Sequence, residues 1–232
     1  MIGRLQAIPS ERSGARCHGA LVPCKAAGTV DYWNHNTAYH PMIVATAGQI
    51  DGDVLDIGCG EGLLVERLAE VSRSVTGVDR DEGAIRRALV RTAGLTNATA
   101  IEADFMEFDV SPGSYDLITG VAVLHHLDLE SALRRSAQVL RPGGRLLVVG
   151  LSANKSVGDY VRSALLLPVV RLLSTIHHED RSVPVVAMPP AESFAEIKRS
   201  ASHQLPGVRL RRALYYRYVL SWTKPMGDQS TG

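Results

Sequence analysis

What this chain lacks narrows what it can be. It has no excess of charge of either sign: 25 Lys and Arg stand against 24 Asp and Glu, a formal net charge of +1 over 232 residues. That balance raises no field to gather nucleic acid or an anionic membrane surface. It has no long apolar run. The nearest, ALLLPVV at residues 164–170, contains Pro168, ends before Arg171 and is too short to cross a bilayer. Cysteine is scarce. Cys17, Cys24 and Cys59 are an odd number with unhelpful spacing, so they read as cytoplasmic thiols rather than a disulfide framework. No internal repeat and no low-complexity tract is visible. Residues 1–28, rich in Arg, Ser, Gly and Ala, lack the apolar stretch of a secretory signal. They are expected to be a flexible leader, with a start codon set too early or an organellar transit peptide as alternatives. Residues 226–232 are expected to be a disordered tail.

What is present is a rhythm. Hydrophobic residues make up 45% of the chain, enough for one core of ordinary size. Short apolar runs alternate with amphipathic ones between residues 54 and 150. Residues 54–57, 74–78, 98–102, 115–119 and 145–150 read as strands. Residues 62–71, 81–93 and 129–140 read as helices, from apolar positions at helical spacing. Asp81 is placed to cap the second of these and Gly94 to close it. RPGG at 141–144 reads as a turn. Strands alternating with helices predict a doubly wound, mostly parallel sheet covered on both faces. Residues 151–190 break the rhythm, with prolines and two apolar helical stretches, and are read as a cap inserted over the substrate. A helix at 191–203 follows, then two alternating runs, 208–214 and 217–223, close enough to form an antiparallel hairpin. Before the first strand, Asp31 is placed to cap a helix carrying Tyr32, Trp33, Tyr39 and His40, the start of a helical lid over residues 29–50.

The informative stretch is VLDIGCGEGLL at 54–64. Glycine at 58, 60 and 62 costs more backbone entropy than a plain turn requires. Bare N–H groups between a strand end and a helix start let a ligand come close. Two further strand ends carry acids. Asp79, in VTGVDRDEG, can accept two hydrogen bonds from a vicinal diol such as a ribose. Asp104, in IEADFMEF, can accept from an exocyclic amine, with Phe105 beside the base. A nicotinamide-binding loop also uses glycines and an acid about 20 residues on. It needs a third glycine where Leu63 stands, and Asp56 would set a negative charge beside a pyrophosphate. An acid there suits a sulfonium amino acid instead.

With these residues in this order, the chain resembles the class I S-adenosylmethionine-dependent methyltransferases, in their small-molecule group. It is similar at LDIGCGEG (55–62), Val78–Asp79, 103–105, YDLI (115–118), LHHLD (124–128) and LRPGG (140–144), and in its lid and last strand (RYVLSWTKP, 217–225) to bacterial natural-product methyltransferases. The resemblance implies a Rossmann-like, seven-stranded sheet with an antiparallel last strand, and S-adenosyl-L-methionine as cofactor. It implies that Asp56 and the backbone of Gly58, Cys59 and Gly60 meet the methionine part and the ribose. Asp79 takes the ribose hydroxyls, Arg80 packs over the adenine, Asp104 and Phe105 hold it, and Gly120 and Val121 border the sulfonium. The chain departs from the Asn-Pro-Pro-Tyr and Pro-Cys patterns of nucleic-acid methylation, which together with its charge argues against that substrate. No metal is expected, and His177, His178, Glu179 and Asp180 read as a solvated loop.

Methyl transfer needs alignment, loss of water and, for a protonated nucleophile, a base. His40 and His35, with Tyr39, are the candidate proton acceptors, and His125 lies where acceptors sit in the family. Tyr32, Trp33 and His125 are the candidate substrate contacts. The expected acceptor is a small aromatic or apolar metabolite, methylated on carbon, nitrogen or oxygen. A cofactor-binding enzyme that transfers no methyl, such as a cyclase, and a nicotinamide-dependent oxidoreductase stay as alternatives. The oligomeric state stays open.

Overall fold

The computed structural model describes residues 31–177 and 188–226. The expected leader, the tail from 227, His178, Glu179, Asp180 and part of the expected cap lie outside the described residues. The chain runs through a 3-10 turn (Thr37–Tyr39), α1 (His40–Ile50), β1 (Asp53–Ile57), α2 (Leu63–Ala69), β2 (Ser74–Asp79), α3 (Glu82–Thr92), β3 (Ala98–Glu102) and β4 (Tyr115–Val121). A second 3-10 turn (Leu124–His126), α4 (Leu129–Val139), β5 (Leu140–Leu151), α5 (Val157–Ile176), α6 (Phe194–Gln204), β6 (Arg209–Arg212) and β7 (Arg217–Thr223) follow.

The seven strands form one sheet in the order β3-β2-β1-β4-β5-β7-β6. β1 to β5 are parallel, and β7 runs antiparallel to both β5 and β6. Alternating residues feed two cores. Leu55, Ile118, Leu146 and Val148 pack with Leu133 of α4 and Ile197 of α6 on one face. Val54, Leu117, Leu147 and Val149 pack with Ile43, Leu68 and Ile85 of α1, α2 and α3 on the other. Strand order reverses between β1 and β4, and in open sheets of this kind the crevice beyond those carboxyl ends is where ligands bind. The amino ends are tied off by charge. Asp53 takes Arg73 at 2.7 Å and Arg141 at 2.9 Å, so its carboxyl is held well below the usual range, with the bond from Arg73 the largest cause.

Three local expectations change. No helix spans residues 31–36. Asn34 Oδ1 accepts from the backbone N–H of Asn36 (2.9 Å) and Thr37 (3.0 Å), while Thr37 Oγ1 accepts from that of Asn34 (2.8 Å). Side chains that capture backbone donors turn the chain before a helix can start. α1 therefore begins at His40, with Pro41 in its first turn, where a missing N–H costs nothing. RPGG is absorbed into β5 through a bulge, Gly143 taking φ +79°. The two apolar stretches after residue 151 form the single helix α5, opened by a reciprocal Ser156–Asp159 capping box, with Pro168 inside it.

Candidate active site

A cavity of about 480 Å³ opens at the carboxyl ends of β1, β2, β3 and β4. Its floor is the glycine turn. Gly58 and Cys59 donate backbone N–H to Val78 O at 2.8 and 3.1 Å, which pins the turn to β2. Gly60 and Gly62 are glycines for different reasons. Both take positive φ, +54° and +80°. A Cβ added at Gly62 would meet Ala88 Cβ at 2.9 Å, so that position serves the packing of α2 on α3. A Cβ at Gly60 would meet nothing within 4 Å, because it would project into open space.

Acids gather around this floor. Asp79 Oδ2 accepts from Gly60 N–H at 2.9 Å and Oδ1 from Asp81 N–H at 2.9 Å, which orients the carboxylate and leaves each oxygen a further lone pair. Asp81 itself caps α3, accepting from Ala84 N–H at 2.8 Å. Asp104 turns one oxygen onto Met106 N–H at 2.8 Å. Phe105 beside it is buried, its carbonyl fixed by Arg135 Nε at 2.6 Å. Asp56 is 2% exposed, and burial first, then the neighbouring Asp79, pushes its carboxyl well above the usual range. A cationic group in this cavity would favour the charged form of Asp56.

The wall includes Tyr32, His40, Asp56, Gly58, Cys59, Gly60, Asp79, Arg80, Asp104, Phe105 and Val121. Gly120 lies one residue behind it, inside β4, where a Cβ would meet Val123 Cγ1 at 2.7 Å. His125 is also behind the wall, and His126 is in it. Asn34, Asn36, Thr37, Glu61 and Arg87 are also in the wall and were not singled out as site residues from the sequence. Glu61 lies beside Tyr32, whose phenol burial first, and then this carboxylate, push up to about 12, and it faces Arg91 at 3.6 Å.

The two histidines expected to accept a proton, His40 and His35, both have partners. His40 Nδ1 lies 3.1 Å from Arg67 Nη1. A guanidinium only donates, so Nδ1 accepts and the ring proton sits on Nε2. Burial, then the Arg67 charge, lowers His40 to about 3. His35 stands outside the wall. Its Nε2 meets Ser174 Oγ at 2.9 Å and its ring stacks on Tyr215 at 4.6 Å. Tyr39 and Trp33 also face away from the cavity. Tyr39 donates to Leu214 O at 2.6 Å, and Trp33 stacks on His177 at 4.6 Å. Both line a wider groove of about 1180 Å³ on the outer side of the lid, with Arg67, Leu166 and Tyr215. None of the strand-end acids reaches that groove, so its size does not make it the reaction site.

Two ring nitrogens remain. Nδ1 of His125 and Nδ1 of His126 are buried and have no hydrogen-bond partner. Burial lowers His125 to about 4, which leaves that ring neutral at neutral pH, and also lowers His126. Orphaned polar atoms, a raised buried acid and open space above Gly60 fit a bound polar cation with a nucleoside. Among the described residues no cluster of His, Cys, Asp or Glu is arranged to hold a metal ion, and no helix is long and apolar enough to cross a membrane.

Comparison with known proteins agrees with this geometry. Residues 54–144 match the model of a methyltransferase domain. The chain is 31% identical over 197 residues to an uncharacterized methyltransferase of Mycobacterium tuberculosis, covering 84% of this chain and 98% of that protein. It is 30% identical over 166 residues to the ubiquinone biosynthesis O-methyltransferase of Bordetella bronchiseptica, covering 64% and 67%. Among solved structures it is similar to a SAM-dependent methyltransferase of Methanosarcina mazei, with a TM-score of 0.57, 20% identity and 79% and 97% of the two chains covered.

Proposed function

The chain belongs to the class I S-adenosylmethionine-dependent methyltransferases, and from this we propose that it methylates a small aromatic or apolar metabolite of natural-product type. When bound, the cofactor supplies an electrophilic methyl on a sulfonium. The chain's own residues bind, orient and exclude water. Asp56 and the backbone of Gly58, Cys59 and Gly60 would hold the methionine part, and Asp79 the ribose diol. Arg80, Asp104 and Phe105 would hold the adenine, with Val121, backed by Gly120, at the reacting end. His40 serves as a donor through Nε2–H. Deprotonation, where the acceptor requires it, falls to the His125–His126 pair or to no residue at all, with proximity and desolvation carrying the rate.

The lid reading is supported by Tyr32, Asn34, Asn36, Thr37 and His40, which line the cavity from the segment before β1. The cap reading rests on α5. Ser174 meets His35, and Ser163 O accepts from Tyr216 OH at 3.3 Å, so α5 closes on the lid and on the link between β6 and β7. Oxygen is the favoured acceptor atom, supported by the O-methyltransferase relative.

One observation carries the reading: acids from three successive strand ends surround one cavity above a glycine whose missing side chain faces open space. Titration with S-adenosylmethionine and with NADH, followed by transfer of labelled methyl to an extract of small molecules, tests it. Binding of the former alone and a labelled small-molecule product are expected. Binding of NADH alone would return the oxidoreductase reading. Cofactor binding with no labelled product would return the non-methylating one.

A further inference from the structure

Arg217, like Arg135, whose Nε donates to Phe105 O, is held by neutral acceptors, whereas three other arginines have carboxylates. Arg91 has Glu66 at 2.8 Å, Arg212 has Asp159 at 2.7 Å, and Arg73 has Asp53. Arg217 opens β7 at the carboxyl end of the sheet, opposite Leu151 of β5. Its Nε and Nη2 donate to Asn36 Oδ1 at 3.3 and 2.7 Å, and its Nη1 donates to Tyr215 O at 3.2 Å. Both acceptors are neutral. No carboxylate of the described residues pairs with it, and the Tyr39 phenol favours its charge. Burial lowers the guanidinium to about 10, which leaves it charged at neutral pH.

Three of its five N–H donors are used, which leaves one on Nη1 and one on Nη2. A half-buried charge held only by neutral acceptors is costly, and a ligand that brings the missing anion relieves that cost. Asn36 lines the cofactor cavity and Tyr215 lines the outer groove, so the guanidinium, in the wall of neither, lies behind both, one residue from each. His125 is near enough to feel its charge. The Tyr215 carbonyl is aimed from a backbone at φ +56°, a conformation that bulky residues hold only under constraint. Burial lowers the nearby His125, so that ring adds no positive charge of its own.

We propose that Arg217 anchors a carboxylate on the methyl acceptor through the N–H groups left on Nη1 and Nη2, with Asn36 steadying the guanidinium. This rests on the methyl-transfer reading and narrows its acceptor to an aromatic monocarboxylate. A single guanidinium fork matches a carboxylate, and a phosphate dianion would call for a second positive group.

The test uses the full chain, benzoate as probe and benzamide as its neutral counterpart, by calorimetry with and without S-adenosylhomocysteine. Wild type should bind benzoate at least tenfold more tightly than benzamide. Arg217→Met should erase the difference, and Arg217→Lys should keep part of it. Because Arg217 also ties down Asn36, a second variant leaves the guanidinium in place. Asn36→Asp sets an internal carboxylate against it, and should abolish the benzoate preference while raising the melting temperature. Equal binding of the two probes by wild type would overturn the proposal, and so would an Asn36→Asp variant that still prefers benzoate. Failure of the parent reading appears separately, as no binding of S-adenosylmethionine in its own titration.

Discussion

The cavity around the glycine turn and the segment from Trp33 to Tyr39 are assembled by different means. Around the glycine turn, partners are near in sequence and mostly backbone: Asp104 bonds two residues on, and Asp79 reaches Gly60 across 19. Around that segment, partners are far apart in sequence. His35 and Ser174 are separated by 139 residues, Tyr39 and Leu214 by 175, and Asn36 and Arg217 by 181. Strand ends and turns dictate the first site almost by themselves. The second exists only when three distant segments have docked. A motif can therefore advertise a cofactor while the acceptor stays unreadable.

Substitutions can break or sharpen that contrast. The largest effect is expected at Gly60, where the backbone is part of the binding surface. Gly60→Val should weaken S-adenosylmethionine binding about a hundredfold or more, ~3 kcal/mol, with circular dichroism showing the sheet intact. Normal binding would make the turn merely structural. Asp79→Ala should cost roughly 1–3 kcal/mol of cofactor affinity, because Gly60 and Asp81 N–H lose their acceptor along with the ribose.

Asp56 should separate binding from stability. Its carboxyl titrates above the usual range in the fold, so the stability it contributes is complete below the unfolded value of roughly 4 and is lost as pH rises through the raised one. The ligand-free protein should lose melting temperature over that window, while cofactor affinity rises with pH as the acid ionises. Asp56→Asn should flatten the melting profile, raise its neutral-pH value and weaken cofactor binding about tenfold, ~1.4 kcal/mol. A steeper profile in the variant would contradict the assignment.

The smallest effect belongs to the lid. His40→Gln keeps a donor and should change cofactor affinity by only about 1 kcal/mol. With His40 lowered to about 3, it should leave the pH–rate profile above pH 5 unchanged. Loss of a limb there would restore His40 as a base. The same variant should lose less stability than wild type as pH falls from roughly 6.5 toward 3, since over that range the unfolded imidazole takes up a proton that the buried one does not.

These contrasts mark what the sequence could disclose. The parallel sheet, the hairpin end, the Asp81 cap and the acids at 56, 79 and 104 follow from period, glycine placement and short-range capping. The lid was misjudged where one residue intervened: Asn34 takes two backbone donors, and a helix expected from Asp31 begins at His40 instead. Aromatic spacing in DYWNHNTAYH suggested one face toward the ligand, yet only Tyr32 and His40 of the five candidates line the cavity. Trp33, His35 and Tyr39 are claimed by His177, Ser174, Tyr215 and Leu214, and no local pattern announces partners so distant. Nor did anything mark Arg217 out, because a missing counter-charge shows only in three dimensions.

The antiparallel β7 carries a consequence for how the protein is made. It lies inside the sheet, between β5 and β6, although it follows both in the chain. Until residue 223 has left the ribosome, β5 presents a bare row of seven register positions, from Arg145 to Leu151, to whatever strand comes near. The nascent chain thus emerges with its cofactor turn already encodable and its central edge unsealed. Synthesis stalled before β7 would yield a chain prone to pair with its neighbours, and a chaperone's protection would matter most in the interval between the two strands.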